Sequence, residues 1–142
     1  MPEEKITNIN LPGVIGESHD DPLLDCLELI ARLQGRPTTR TALRAGLPLV
    51  DNRLTVELFH RAANRGGLSS RVVRRPLQHI SNLELPAVLL MKSGSACVLV
   101  TIDNNNSSIK VLLPEAGMGE QVFSIDDFDE LRAAVAIAPD GV

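Results

Sequence analysis

Residues 20–36 read Asp20-Asp21-Pro22-Leu23-Leu24-Asp25-Cys26-Leu27-Glu28-Leu29-Ile30-Ala31-Arg32-Leu33-Gln34-Gly35-Arg36. The stretch carries its own start and stop. Asp20 or Asp21 can cap a helix whose first position is Pro22, where the missing N–H costs nothing. Gly35 ends it. Asp25, Glu28 and Arg32 form one polar stripe, with Glu28 and Arg32 four apart in the favourable order. The remaining positions are apolar, so the helix is mostly buried, and Cys26 lies one turn after Pro22 on that buried face. A thiol gains acidity in the first turn of a helix from the dipole and the free N–H groups. Here that place belongs to Pro22, which offers no reactive group.

Around this helix, 142 residues suit one domain large enough to bury a core without disulfides or metals. The net charge of −4 speaks against nucleic acid as a partner. Cys26 and Cys97 both sit in apolar runs and read as buried thiols in a reducing compartment. No set of ligands at short spacing suggests a zinc site, and nothing in the sequence calls for a cofactor. The N-terminus lacks the basic start and apolar run of a targeting segment, and the apolar runs at 85–91 and 96–102 are far below membrane-spanning length.

The spacing predicts a flexible leader over residues 1–19, one folded domain over 20–139 and the start of a linker at 140–142. Thr38 or Thr39 can cap a second short helix that reaches Ala45, and Thr55 a third that runs to about Asn64 before Gly66 and Gly67. After Gly67 the period changes. A strand is expected at 71–74, a helical turn at 77–81, and a buried hairpin from 87–92 and 96–102. Further strands are expected at 109–113 and 121–123. Ser124 with Asp127 then caps a helix to about Ala133. Residues 135–138 could close the sheet. Helices first and strands later imply an α+β fold, a helical lobe packed on an antiparallel β-sheet.

This order of motifs resembles the N-terminal domain of bacterial ABC exporters descended from the bacteriocin-processing cysteine peptidases, family C-39, from about Asp21 to Ala138. The resemblance implies a papain-like cysteine-peptidase fold. Active members carry Asp-Cys-Gly, a second Cys three residues later, then Leu, an apolar helix and Gly. Here Cys26, Leu27 and Gly35 match from the second Cys onward, and the catalytic Cys falls on Pro22 after a matching Asp21. Leu43-Arg44, Leu54, Ala62-Ala63, Gly67-Leu68 and Val73-Arg74 match the segments that follow. Family enzymes continue with Leu-Pro, a strand ending in His-Trp, and His-Phe-Val-Val-Leu bearing the catalytic His. This chain has Leu85-Pro86, Leu90-Met91 and Ala96-Cys97-Val98-Leu99-Val100, so Ala96 replaces the His. The Asp of Asp-Pro-Ala-x-Gly aligns with Leu113 before Pro114, and an oxyanion-hole Gln falls near Gly16.

Acyl transfer needs a thiolate, an imidazole touching it and a polar group to orient the ring. Pro22, Ala96 and Leu113 supply none of these, so the resemblance implies a domain with no peptidase activity and no catalytic residues. It implies a type I secretion ABC transporter, of the large-adhesin branch, with the domain on the cytoplasmic side of the bacterial inner membrane. Its partners would be an unfolded or partly folded secreted protein and the transmembrane and nucleotide-binding domains of an ATP-hydrolysing parent chain. The alternative role is structural or gating, with contact to the transporter and none to substrate.

Substrate-contact candidates are Leu89, Leu90 and Met91, which could line the remnant of a cleft or simply fill it, and Arg71, Arg74 and Arg75. These arginines, with Arg61 and Arg65, form a block with no acid across residues 58–75, whereas residues 115–130 hold six acids and no base. Each block reads as an interface or as a solvated face, the two partly paired with each other. His19, His60 and His79 read as surface residues.

Overall fold

A computed structural model of the chain describes residues 21–114 and 119–139. The expected leader at 1–19, with His19 and Gly16, the linker at 140–142 and part of the acidic block lie outside the described residues. Three helices come first: α1 (Pro22–Leu33), α2 (Arg40–Arg44) and α3 (Val56–Arg65). Each begins on a side-chain cap. Asp21 accepts from the Leu24 amide, Thr39 from Ala42 and Thr55 from Leu58. Strand β1 (Ser70–Val73) follows α3, and two 3₁₀ turns, Leu77–His79 and Asn82–Glu84, lead to β2 (Ala87–Met91). Then come β3 (Ala96–Asp103), β4 (Ser108–Leu113), β5 (Gly119–Ser124), helix α4 (Ile125–Leu131) and β6 (Arg132–Pro139). The Leu85–Pro86 peptide is cis.

The strands form one antiparallel sheet in the order β1-β6-β2-β3-β4-β5. The last strand completes the sheet, as the sequence suggested, and does so from within. It inserts between β1 and β2, pairing Ile137 with both Val72 and Val88. Strand β6 therefore starts at Arg132, and α4 stops at Leu131, short of Ala133. The second 3₁₀ turn is also new, although Ser81 and Glu84 carry its signal. Their side chains and backbones bond reciprocally as a capping box.

Two apolar layers flank the sheet. The helix-bearing face unites Leu24, Leu27, Ile30, Leu43, Phe59 and Ala62 with Ala96 and Val98. The far face buries Leu77, Leu89, Cys97, Leu99, Ile109, Val111 and Phe128. Alternate residues of β3 serve opposite layers, as the two-residue strand period requires, which is why this run is apolar throughout. The hairpin was legible for the same reason.

Candidate functional site

The first turn of α1 is locked. Asp21 is 4% exposed, and its other carboxylate oxygen accepts the Leu54 amide at 2.9 Å. Burial pushes its acidity down, raising its pKa, while those two backbone bonds and the charges of Arg40 and Arg44 oppose the shift. Pro22 occupies the first helical position beside it and is half-buried. The expected polar stripe is partly interior. Asp25 is buried, and Arg40 reaches from α2 to join Asp25 and Glu28, the latter at 3.2 Å. One guanidinium thus bridges two carboxylates at the α1–α2 contact.

Both cysteines are buried thiols. Cys26 is 0% exposed in the helix-bearing layer, and Cys97 lies in the opposite layer, where burial pushes its pKa up to about 12. His60 bonds Ser70 through Nδ1 at 2.6 Å, tying α3 to β1, and His79 is exposed.

Ala96, where the resemblance expects an imidazole, belongs to the same layer as α1. Leu113 sits at the end of β4, one residue beyond the Val98–Leu112 pair, and packs against the far layer. Leu112, not Leu113, shares the Ala96 face. Leu89 is 0% exposed within the far layer, so it lines no cleft and presents nothing to a ligand. Leu90 and Met91 are half-buried on opposite faces of β2. Of the three apolar candidates, these two retain surface.

The arginine block has a partner the sequence did not single out. Glu84 is bound by Arg71 at 2.6 Å and by Arg75, while Arg75 also donates to the His79 carbonyl at 3.1 Å. The expected pairing of Arg71 and Arg75 is thus with Glu84, from the 3₁₀ turn. Three groups hold Glu84 ionised: the Ser81 amide at 2.9 Å, then Arg75 and Arg71, and together they keep its pKa below the usual value. Arg61, Arg65 and Arg74 are exposed and form no ion pair among the described residues. No group of metal-ligating side chains occurs among the described residues, and none of their helices is long and apolar enough to cross a membrane.

Among the described residues, an antiparallel sheet carrying three helices on one face, with α1 packed on β3, defines an α+β domain. No family model and no curated protein matches the sequence. Among solved structures, the N-terminal peptidase C-39-like domain of the toxin secretion ATP-binding protein from Vibrio parahaemolyticus is 37% identical. That match covers 84% of this chain and 96% of its own, with a TM-score of 0.78. The chain belongs to this family, the peptidase C-39-like domains of secretion ABC transporters. Two further structures share the fold. The peptidase domain of Streptococcus ComA, a bifunctional ABC transporter of a quorum-sensing pathway, is 18% identical over 87% of this chain and 94% of its own, with a TM-score of 0.71. A double-glycine-motif protease from an AMS/PCAT transporter, solved with a leader peptide, is 13% identical over 84% of each chain, with a TM-score of 0.66.

Proposed function

We propose that this domain cleaves no peptide bond and instead recruits the secreted protein of a type I secretion ABC exporter, of the adhesin or RTX type, before translocation. One observation carries the reading. The first turn of the buried helix, where a thiol would gain acidity, is filled by Pro22, and the adjoining strand contributes Ala96 to the core. Neither side chain can accept or donate a proton. Pro22 and Ala96 stand as two emptied triad positions of the family pattern, and Leu112 rather than the expected Leu113 shares the Ala96 face of the sheet. Contacts to the secreted chain come from Arg71, Arg74, Arg75, Leu90 and Met91. Binding is weak, because a chain that must pass into a channel has to be released. The domain works at the cytoplasmic side of the inner membrane, joined to transmembrane and ATP-hydrolysing domains.

The test is a pull-down of the denatured secreted protein by the 142-residue chain, run beside export by the whole transporter with and without the domain. Recruitment predicts capture, and export that falls when the domain is deleted. Export lost with no capture at any concentration would assign the domain to bracing or gating the transporter.

A further inference from the structure

A half-open apolar cleft of about 30 Å³ lies between α1, α3 and the β1 end of the sheet. Ile30 and Gln34 of α1, Phe59 and Ala63 of α3, Leu68 and Ser70 line it. It sits by Pro86 and Ala138, toward the other end of α1 and β2 from Pro22 and Ala96. Three features converge there. First, β1 is the terminal strand of the sheet, so its outer backbone edge has no strand beside it among the described residues. Secondly, the surface it exposes is mostly apolar despite Gln34, Ser69 and Ser70, with room for the end of one aliphatic side chain. Thirdly, a guanidinium stands at its rim. Arg36 lies against Gly67, where a Cβ would stand 2.5 Å from its guanidinium, whereas Arg71 of β1 is already bound by Glu84.

The charge at this end is one-sided. Residues 21–80 hold ten arginines, no lysine and five carboxylates. Asp25 and Glu28 of those five engage Arg40 and Asp21 caps α1, while Arg71 and Arg75 are engaged by Glu84 from beyond this stretch. Residues 58–80, which supply α3 after Leu58, the turn and all of β1, contain no acid.

We infer that this cleft and the β1 edge bind an extended, acidic stretch of polypeptide: a strand added beside β1, one aliphatic side chain in the cleft and a carboxylate toward Arg36. Strand addition of this kind draws affinity from main-chain hydrogen bonds and specificity from the pocket taking alternate side chains. Arg36 at the rim, with no acid across residues 58–80, favours acidic sequence and rejects basic sequence. The inference rests on the recruitment reading and deepens it, naming the kind of segment the domain takes.

The experiment uses the ¹⁵N-labelled 142-residue chain and two synthetic peptides of about ten residues, the length of a long strand. One alternates Leu or Val with Glu or Asp, and the other carries Lys in place of each acid. The acidic peptide is expected to shift the amides of Leu68, Ser69, Ser70 and Ala138. Arg36→Glu and Leu68→Lys should each weaken it about fivefold or more, while Val122→Ser on the opposite edge changes nothing. Equal binding of the lysine peptide, shifts centred on Leu90 and Ala96, or no shift at millimolar peptide would overturn the assignment. Capture of the denatured secreted protein that survives both substitutions sinks the cleft and leaves recruitment standing. Loss of that capture in the unmodified chain, with the acidic peptide still on the cleft, sinks recruitment alone.

Discussion

Asp21 and Leu54 are 33 residues apart in sequence and joined by a 2.9 Å hydrogen bond from the Leu54 amide to the Asp21 carboxylate. With its other oxygen Asp21 caps α1, so one buried side chain fixes both the start of that helix and the approach to α3. Pro22 follows it as the first residue of the helix, so the role of Asp21 here is to hold the chain.

Asp21→Ala should therefore cost more than an ordinary cap. It removes the helix cap and strands the buried Leu54 amide, a loss of about 2–4 kcal/mol. Asp21→Asn keeps an acceptor for one of the two amides and should restore part of it. Urea unfolding of the three proteins checks the order, and equal midpoints would show the contact to be idle.

Thiol chemistry separates an emptied site from a masked one. At pH 8 a thiol titrating near 12 is about one part in ten thousand thiolate, so Cys97 should resist iodoacetamide in the native state. Cys26, with no exposed surface, should resist as well. Pro22→Cys should alkylate faster than either, yet should not cleave a Gly-Gly leader peptide, since Ala96 provides no base. Mass spectrometry of native labelling and a peptide-cleavage assay decide both points.

Acid stability should follow Glu84. Its pKa in the folded chain lies below the ordinary 4.5, so its contribution is complete above that value and is lost as pH falls through the folded one. Glu84→Gln should lower stability at neutral pH by about 1–3 kcal/mol and show a smaller deficit near pH 3. Asp21 runs the opposite way. Its raised pKa favours the protonated form, so its ionisation reduces stability as pH climbs through the carboxylate range. Melting curves across pH for Glu84→Gln and Asp21→Asn should diverge in those opposite senses.

Leu89 and Leu90 are neighbours with different duties. Leu89→Ala should destabilise the fold by about 2–5 kcal/mol, as expected of a wholly enclosed leucine. Leu90→Ser, at a half-buried position, should cost less and show its effect in capture of the denatured secreted protein. Thermal melts and pull-downs on the two variants distinguish core from contact.

Much of this was legible in the residues. Asp21, Pro22 and Gly35 bracket α1, Thr39 and Thr55 open the next two helices, and Ser124 accepts the Asp127 amide at 3.0 Å. These signals are local, so sequence spacing carries them. The unbroken apolar runs of β2 and β3 likewise announce strands covered on both faces. The position of β6 was not legible, because residues 135–138 specify a strand and say nothing of which neighbours it will find. The partner of Arg71 and Arg75 was missed for a related reason. Glu84 reaches them only because the 3₁₀ turn folds it back, and a charge block read along the chain does not register one acid arriving from outside. The inward aim of Leu89 follows from strand alternation and could have been anticipated.

The place of β6 also bears on synthesis. Residues 70–73 leave the ribosome long before residues 132–139, yet among the described residues no other strand pairs with them. Until that late segment arrives, the nascent chain presents two unsatisfied backbone edges, one on β1 and one on β2, on either side of an unfilled gap. Its sheet is completed from the middle, and only after most of the domain has been translated.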